Sequence, residues 1–179
     1  SGSQNGTLKK LIAKKAVLAG GALGNAKILL RSGFKKKLPA LGTGFTCHPQ
    51  YMSYGLFTQP IDAHKGAFQA VKSDEPRFRA QGFKLENVFA PPIGTAMIMP
   101  GIGAQHQERM LRYRYLASME VAVRDDATGV LLYNQRTGKL VIDKQTSRAD
   151  RLKIQKGNQT VRELFQAAGA KETAGSSGK

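Results

Sequence analysis

Cysteine and tryptophan are almost absent from this sequence, whose 179 residues include one cysteine, Cys47, and no tryptophan. A single cysteine excludes an intramolecular disulfide, and with it the small secreted scaffolds that depend on several. The histidines His48, His64 and His106 are far apart and form no zinc-binding spacing with Cys47, so we predict no metal site. The GxSxG motif of a serine nucleophile is also missing.

Long apolar runs that could cross a membrane are missing too. Residues 87–107 carry no formal charge over a membrane-like length, but they contain three prolines and three glycines. Prolines at such density break a helix, so we expect no spanning segment here. No signal peptide is recognisable either, and the sequence leaves the compartment of the protein unknown.

Acidic residues are scarce relative to basic ones: 12 Asp and Glu stand against 28 Lys and Arg, a formal net charge of +16. This excess favours nucleic acid, an anionic surface or an acidic partner chain as a binding partner. Alternatively, the cations simply lie on solvated faces. The short lysine clusters are not interleaved with aromatic residues, so nucleic acid is the less favoured partner.

Periodicity along the chain predicts a mixture of strands and helices. The predicted strands are 11–19, 51–57, 83–89, 119–124, 129–133 and 139–143; the predicted helices are 25–32, 105–118 and one that begins at Ser147. Ser147 and Asp150 have the spacing of a capping box, and Leu152, Val161, Leu164, Phe165 and Ala168 are its predicted core-facing residues. Residues 90–103 are predicted to form an irregular apolar loop.

The predicted elements indicate an α+β fold, a mainly antiparallel sheet with flanking helices, preceded by one strand–turn–helix unit of α/β type. We predict a first segment at 7–46, a second domain at 47–173, and flexible ends at 1–6 and 174–179. A single strand–turn–helix unit cannot bury both faces of its strand, so we expect the chain to be an incomplete piece of a larger protein.

Three glycines, Gly20, Gly21 and Gly24, lie where the first predicted strand meets its helix. Their GGxxG spacing differs from the GxGxxG of a dinucleotide-binding turn. By spacing alone they indicate either tight packing of the strand on the helix or a backbone that lies against a nucleotide cofactor.

Methionine and proline are concentrated in the stretch VFAPPIGTAMIMPGIG, residues 88–103. One interpretation is a loop that covers the core. The other is the wall of an apolar substrate channel lined by Met97 and Met99, because methionine adapts to aliphatic groups of different shape.

Four stretches together resemble the glucose–methanol–choline (GMC) family of FAD-dependent oxidoreductases. They are KKAVLAGGALGNAKILLRSG, LGTGFTCHP, the pair DAHKGAFQAV with GFKLENVFAPPIG, and residues 123–172 down to AAGAKE. The third looks most like the long-chain alcohol oxidase branch. Asn25-Ala26 and Cys47 depart from the family pattern.

The resemblance implies an FAD-dependent enzyme that oxidises an apolar or long-chain alcohol by hydride transfer to flavin. It implies that Gly20, Gly21 and Ala22 lie beside the adenosine half of FAD, and that 47–173 is a substrate-binding domain. Because the family's GxGxxG and catalytic-histidine segments are not found here, the expected chain is an interior fragment without a catalytic residue and inactive by itself. Its expected partners are the alcohol and the remainder of the enzyme or an acidic chain. The alternative is a basic module that binds nucleic acid or an anionic surface.

Overall fold

The computed structural model describes residues 2–4, 7–126 and 128–175, with only the backbone considered for 2–4 and 7–9. The strands are β1 Gly2–Gln4, β2 Thr7–Lys9, β3 Gln50–Leu56, β4 Lys72–Ser73, β5 Phe83–Glu86, β6 Leu116–Val123, β7 Val130–Asn134, β8 Lys139–Asp143 and β9 Glu172–Gly175. The helices are α1 Gly21–Arg31, α2 Pro76–Ala80, α3 Pro92–Ile98, α4 Ala104–Leu111 and α5 Arg148–Ala167, with 3₁₀ turns at Phe34–Lys36 and Tyr113–Tyr115.

The chain divides into two units. The first unit comprises residues 1–45 and 129–143, and the second comprises 46–128 and 144–179. In the first unit β1 pairs with β2 and β7 pairs with β8, both antiparallel. An isolated bridge between Phe45 and Gly129 joins its two chain segments. The regular structure described in this unit therefore comprises α1, the 3₁₀ turn at Phe34–Lys36 and two small antiparallel strand pairs.

The second unit is built on a five-stranded sheet with strand order β4-β5-β6-β3-β9, in which every neighbouring pair is antiparallel. Helix α5 covers one face, where Ile154, Val161 and Phe165 pack against Val121 and Val123 of β6. A second cluster lies apart from the first and contains Tyr54, Phe89, Met99, Tyr113 and Leu116. The predicted α+β class with a mainly antiparallel sheet is therefore confirmed.

Helix α5 begins where the capping box predicts. The Ser147 side chain accepts a hydrogen bond from the backbone N–H of Asp150 and donates one to the Asp150 carboxylate. These contacts satisfy a backbone donor that the first turn would otherwise leave unpaired. Gly169 follows the helix with a φ of 90°, a left-handed conformation that favours glycine. Val161 and Phe165 are buried as predicted, whereas Leu152, Leu164 and Ala168 are exposed.

The predicted strand at 11–19 is wrong. The structure forms no strand there, and Leu11, Ile12 and Val17 are exposed at 90%, 92% and 90%. A strand needs a neighbour that pairs with its N–H and C=O groups, and the described residues provide none for this segment. The helix of the predicted unit does form, as α1, and ends before the left-handed Gly33.

Two further boundaries differ from the prediction. The predicted loop at 90–103 contains α3, because Pro92 occupies the first helical position, where its lack of an N–H costs nothing. The predicted helix at 105–118 stops at Leu111, since Leu116 and Ser118 pair with Leu56 and Tyr54 in the sheet. Tertiary pairing thus overrides the local helical periodicity.

Several predictions on domain boundaries stay open. The predicted division at residue 46 between a first segment and a substrate-binding domain stays a prediction. Of the predicted flexible ends, residues 1, 5, 6 and 176–179 lie outside the described residues, whereas Gly2–Gln4, Ala174 and Gly175 belong to strands. No helix in the described part of the chain has the length and apolar character needed to cross a membrane.

Candidate functional site

The face of the sheet opposite α5 carries the candidate site. Successive side chains of a strand point to opposite faces, so Leu116, Ser118 and Glu120 of β6 face away from the α5 core to which Val121 and Val123 belong. On the neighbouring β3, Tyr54 pairs with Ser118 and Met52 pairs with Glu120. This face, which we call the open face, therefore combines apolar, hydroxyl and carboxyl groups.

A pocket of about 130 Å³ lies between the open face and helix α4. Its lining residues are Tyr54, Leu56, Met99, Gln105, Glu108, Arg109, Arg112, Leu116, Glu172, Thr173 and Ala174. Strands β3, β6 and β9 provide its floor, which is apolar at Leu56, Leu116 and Ala174, and α4 provides a polar wall. The lining is about equally polar and apolar, and a concavity that combines the two is compatible with a small organic molecule.

The structure separates the two methionines predicted to line a channel. Met99 is 5% exposed and lines the pocket, whereas Met97 is 82% exposed on α3 and does not line it. Met99 follows directly after the last residue of α3, with an extended backbone that turns its side chain into the second cluster. A substrate-lining role for both residues stays a prediction, and the geometry favours Met99.

Both arginines of the pocket have partners within the protein. Arg112 contacts Glu108 one turn earlier in sequence, and its Nη1 lies 3.2 Å from Glu172 Oε1 on β9. The Arg109 guanidinium donates to the Pro100 carbonyl. Arg112 is thus paired with two carboxylates, whereas Arg109 is held by a neutral carbonyl and keeps its positive charge.

The tyrosines near the pocket keep their protons. Burial raises the pKa of Tyr54 to about 12, with a smaller contribution from Tyr113. Burial also raises the pKa of Tyr113, whose hydroxyl donates to the Ala90 carbonyl at 2.7 Å. A phenol in this state is a hydrogen-bond donor and not a base, so neither tyrosine can remove a proton from a substrate at neutral pH.

The three histidines are not brought together. The ring of His64 lies 5.0 Å from that of Tyr113, and within the described residues its buried Nδ1 has no hydrogen-bond partner. His48 lines a separate open groove of about 280 Å³ with Arg79 and Lys84, and His106 is on α4. No group of three potential metal ligands occurs in the described part of the chain.

Cys47 is a neutral thiol beside a carboxylate. Its Sγ lies 3.8 Å from Asp125 Oδ2, and its backbone N–H donates to the same oxygen at 3.2 Å. Burial and the negative charge of Asp125 raise the pKa of the thiol, only partly opposed by Lys144. A reactive cysteine needs a lowered pKa, so this arrangement does not indicate a nucleophile.

The predicted cofactor residues lie at the beginning of α1 in the first unit. Gly20, Gly21 and Ala22 are all exposed, and the Gly20 N–H donates to Asn25 Oδ1 at 2.8 Å. Gly21 has a φ of 67°, which a residue with a Cβ rarely adopts. The first turn contains no acidic residue. Small, exposed residues without negative charge fit the close approach of an anionic nucleotide, and a role in binding one stays a prediction.

Sequence reasoning missed the polar wall of the pocket and the carboxyl groups of the open face. Arg112 and Glu108 have the i, i+4 spacing of a helical ion pair, which was the available signal for that contact. Glu120 has no such signal, because its strand alternates apolar and polar residues as a half-exposed strand would.

Comparison with known proteins finds no family model that matches the chain. An uncharacterized GMC-type oxidoreductase of Mycobacterium tuberculosis strain H37Rv is 29% identical over 168 residues, which cover 94% of this chain and 26% of that protein. Its counterpart in strain CDC 1551 matches equally. The long-chain-alcohol oxidase FAO3 of Arabidopsis thaliana is 27% identical over 186 residues, covering 95% of this chain and 24% of that protein. The chain spans about a quarter of the length of these curated relatives.

Proposed function

We propose that this chain, a homologue of the GMC-type oxidoreductases over nearly its whole length, forms the substrate-binding part of an FAD-dependent oxidoreductase that acts on an alcohol. The observation that carries the proposal is the pocket on the open face, where Leu56, Met99 and Leu116 provide an apolar part beside polar groups. The name of the plant relative supports a long-chain alcohol as the substrate class.

FAD, when bound, accepts the hydride that leaves the alcohol carbon. Gly20, Gly21 and Ala22 are the residues that would lie against its adenosine half, because they are exposed, small and free of negative charge. In the described part of the first unit they lie on an exposed helix start and not in an enclosed cleft. We therefore expect the chain by itself to retain little or no FAD and to give no turnover.

The apolar part of the pocket suits an aliphatic chain. Arg112 is already paired with Glu108 and Glu172, so an anionic ligand would have to displace these carboxylates to reach it. Met99 can change rotamer at little cost, which lets one pocket accept alkyl groups of different shape. The volume of about 130 Å³ is sufficient for part of such a chain.

Methionine-methyl NMR of the chain during titration with 1-dodecanol tests this proposal. The Met99 methyl signal is expected to shift in a saturable manner, whereas that of the exposed Met97 stays in place. Met99→Leu and Met97→Leu assign the two signals. A titration in which both signals move alike, or neither moves, would argue against an alcohol site in this pocket.

An absorption spectrum tests the cofactor part of the proposal separately. The chain is incubated with FAD, desalted and scanned, and a dye-linked assay with 1-dodecanol follows. A folded chain without a flavin band and without turnover is the expected result. A retained flavin band, or reduction of the dye, would show that the isolated chain builds a nucleotide site of its own and would overturn the expectation of inactivity.

The alternative proposal is a basic module that binds an anionic surface or nucleic acid. Exposed lysines such as Lys10, Lys14 and Lys15, together with the net charge of +16, favour it. Its signature would be an affinity that falls steeply with salt, measured on anionic vesicles and on duplex DNA.

A further inference from the structure

A pair of buried carboxyl groups occupies the open face of the sheet. Glu86 on β5 is directly opposite Glu120 on β6 in the antiparallel register. Their exposures are 8% and 6%, so both are removed from water. Two negative charges at directly opposite positions of adjacent strands repel each other, and burial strengthens that repulsion.

The two carboxyl groups of the pair differ in their hydrogen-bond partners. The Glu86 carboxylate accepts hydrogen bonds from Lys84 Nζ at 2.5 Å and from Gln69 Nε2 at 3.1 Å. In contrast, Glu120 Oε1 is buried without a hydrogen-bond partner within the described residues. An ionised Glu120 would leave this buried oxygen without a donor, whereas a protonated Glu120 can donate a hydrogen bond to Glu86.

We propose that Glu86 and Glu120 form a buried proton-binding site, in which Glu120 carries the proton at neutral pH. When two carboxyl groups share one site, their affinities for a proton differ. The proton stays on the group whose charged form has fewer hydrogen-bond donors. The inference concerns the second unit alone and is independent of the proposed activity.

The charged groups around the pair agree with this assignment. Burial raises the pKa of Glu120, and Glu86 raises it further, both as a charge and as a hydrogen-bond partner. His48, which precedes β3, and Lys84 on β5 act in the opposite direction without reversing the shift. Met52, opposite Glu120 on β3, brings no charge. The bound proton therefore stabilises the fold.

The direction of the pH dependence follows from the raised pKa. Between the unfolded and folded pKa values of Glu120, the folded state binds the proton and the unfolded state does not. The stability that the proton contributes is complete below the pKa of Glu120 in the unfolded state. It is lost as pH rises through the pKa in the folded state, and above that pKa it is absent. Glu120→Gln places an uncharged amide of the same shape at this position and removes that dependence.

Thermal unfolding between pH 5 and 9 tests the proposal. The melting temperature of Glu120→Gln minus that of the wild type should increase as pH rises and become positive at the alkaline end. Glu163→Gln, at an exposed position on α5, removes one charge from the surface and should follow the wild type in parallel. His48→Gln removes the histidine near Glu120, and the wild-type pH dependence should persist in this variant.

Infrared spectroscopy gives a second readout if Glu120→Gln does not fold. The wild type at pH 7 should show the carbonyl band of a protonated carboxylic acid, and Glu86→Gln, which relieves the repulsion, should weaken it. The assignment would be overturned if the melting temperatures of the wild type and of Glu120→Gln changed with pH in parallel. It would also be overturned by a wild-type infrared spectrum without this band at pH 7.

Discussion

Lys144 Nζ lies 2.8 Å from Asp125 Oδ2, and both side chains are almost completely buried. Asp125 follows the end of β6, and Lys144 precedes α5, so the ion pair fixes two chain segments that are distant in sequence. The backbone N–H of Cys47 donates to the same Asp125 oxygen, which adds the segment before β3. The Asp125 carboxylate thus links three segments of the chain at one end of the sheet.

Removing one member of this pair should destabilise the protein strongly. Lys144→Met leaves the Asp125 carboxylate buried without its cation, and breaking a buried ion pair in this way costs about 3–5 kcal/mol. Lys65→Met is the matched control, because the Lys65–Asp62 pair is largely exposed on its lysine side and such pairs contribute roughly 0–1 kcal/mol. Urea unfolding measures both. Equal effects of the two substitutions would contradict a structural role for the Asp125–Lys144 pair.

The buried carboxylate of Asp150 is stabilised in its charged form by hydrogen bonds. Burial alone would raise its pKa, but hydrogen bonds from Ser147 Oγ, the Asp126 N–H and Lys153 Nζ outweigh burial and hold the pKa well below its usual range. Lys153 also pairs with Asp126 and donates to the Arg124 carbonyl at 2.8 Å. The first turn of α5 is thereby attached to the chain after β6.

Acid unfolding should report on Asp150. Because its folded pKa lies below the unfolded value, its contribution is complete above the unfolded pKa near 4 and is lost as pH falls toward the folded value. Asp150→Asn should therefore reduce stability at pH 7 and flatten its decline between pH 5 and 2. Thermal unfolding across that range, with the exposed Glu163→Gln as a control, measures the effect. An acid decline in Asp150→Asn as steep as in the wild type would assign that decline to other carboxylates.

The sequence predicted those elements whose signals are local. The capping box at Ser147 and the β7–β8 hairpin depend on residues a few positions apart, and both form where predicted. The segment 11–19 has a strand-like pattern, yet a strand forms only when another strand pairs with it, and sequence pattern alone does not reveal whether one is present.

The candidate site was harder to predict for the same reason. The pocket brings Met99 next to Arg112 and Tyr54, residues from separate parts of the chain whose proximity depends on the sheet order. The end of α4 at Leu111 decides which of its residues face the pocket, and that end is set by the pairing of Leu116 with Leu56. Likewise, Glu120 has the pattern of an outward-facing polar residue, and only the strand register that places it opposite Glu86 shows the carboxyl pair.

Gly157 lies where α5 approaches the sheet most closely. A Cβ added to Gly157 would overlap Cγ1 of the fully buried Val121, so Gly157→Ala must displace the helix or the strand. Overpacking of this kind costs roughly 1–3 kcal/mol, which exceeds the gain of about 1 kcal/mol in helix propensity from glycine to alanine. Gly24 in α1 provides the matched control, because an added Cβ meets nothing within 4 Å there. Gly24→Ala should therefore stabilise the helix that carries it while Gly157→Ala lowers the free energy of unfolding of the second unit.

Combining Gly157→Ala with Val121→Ala, which removes the clashing methyl groups, should make the glycine substitution less costly than it is alone. If Gly157→Ala instead stabilises the protein, or if its cost is the same with and without Val121, the close packing of α5 on β6 is not what requires a glycine at this position.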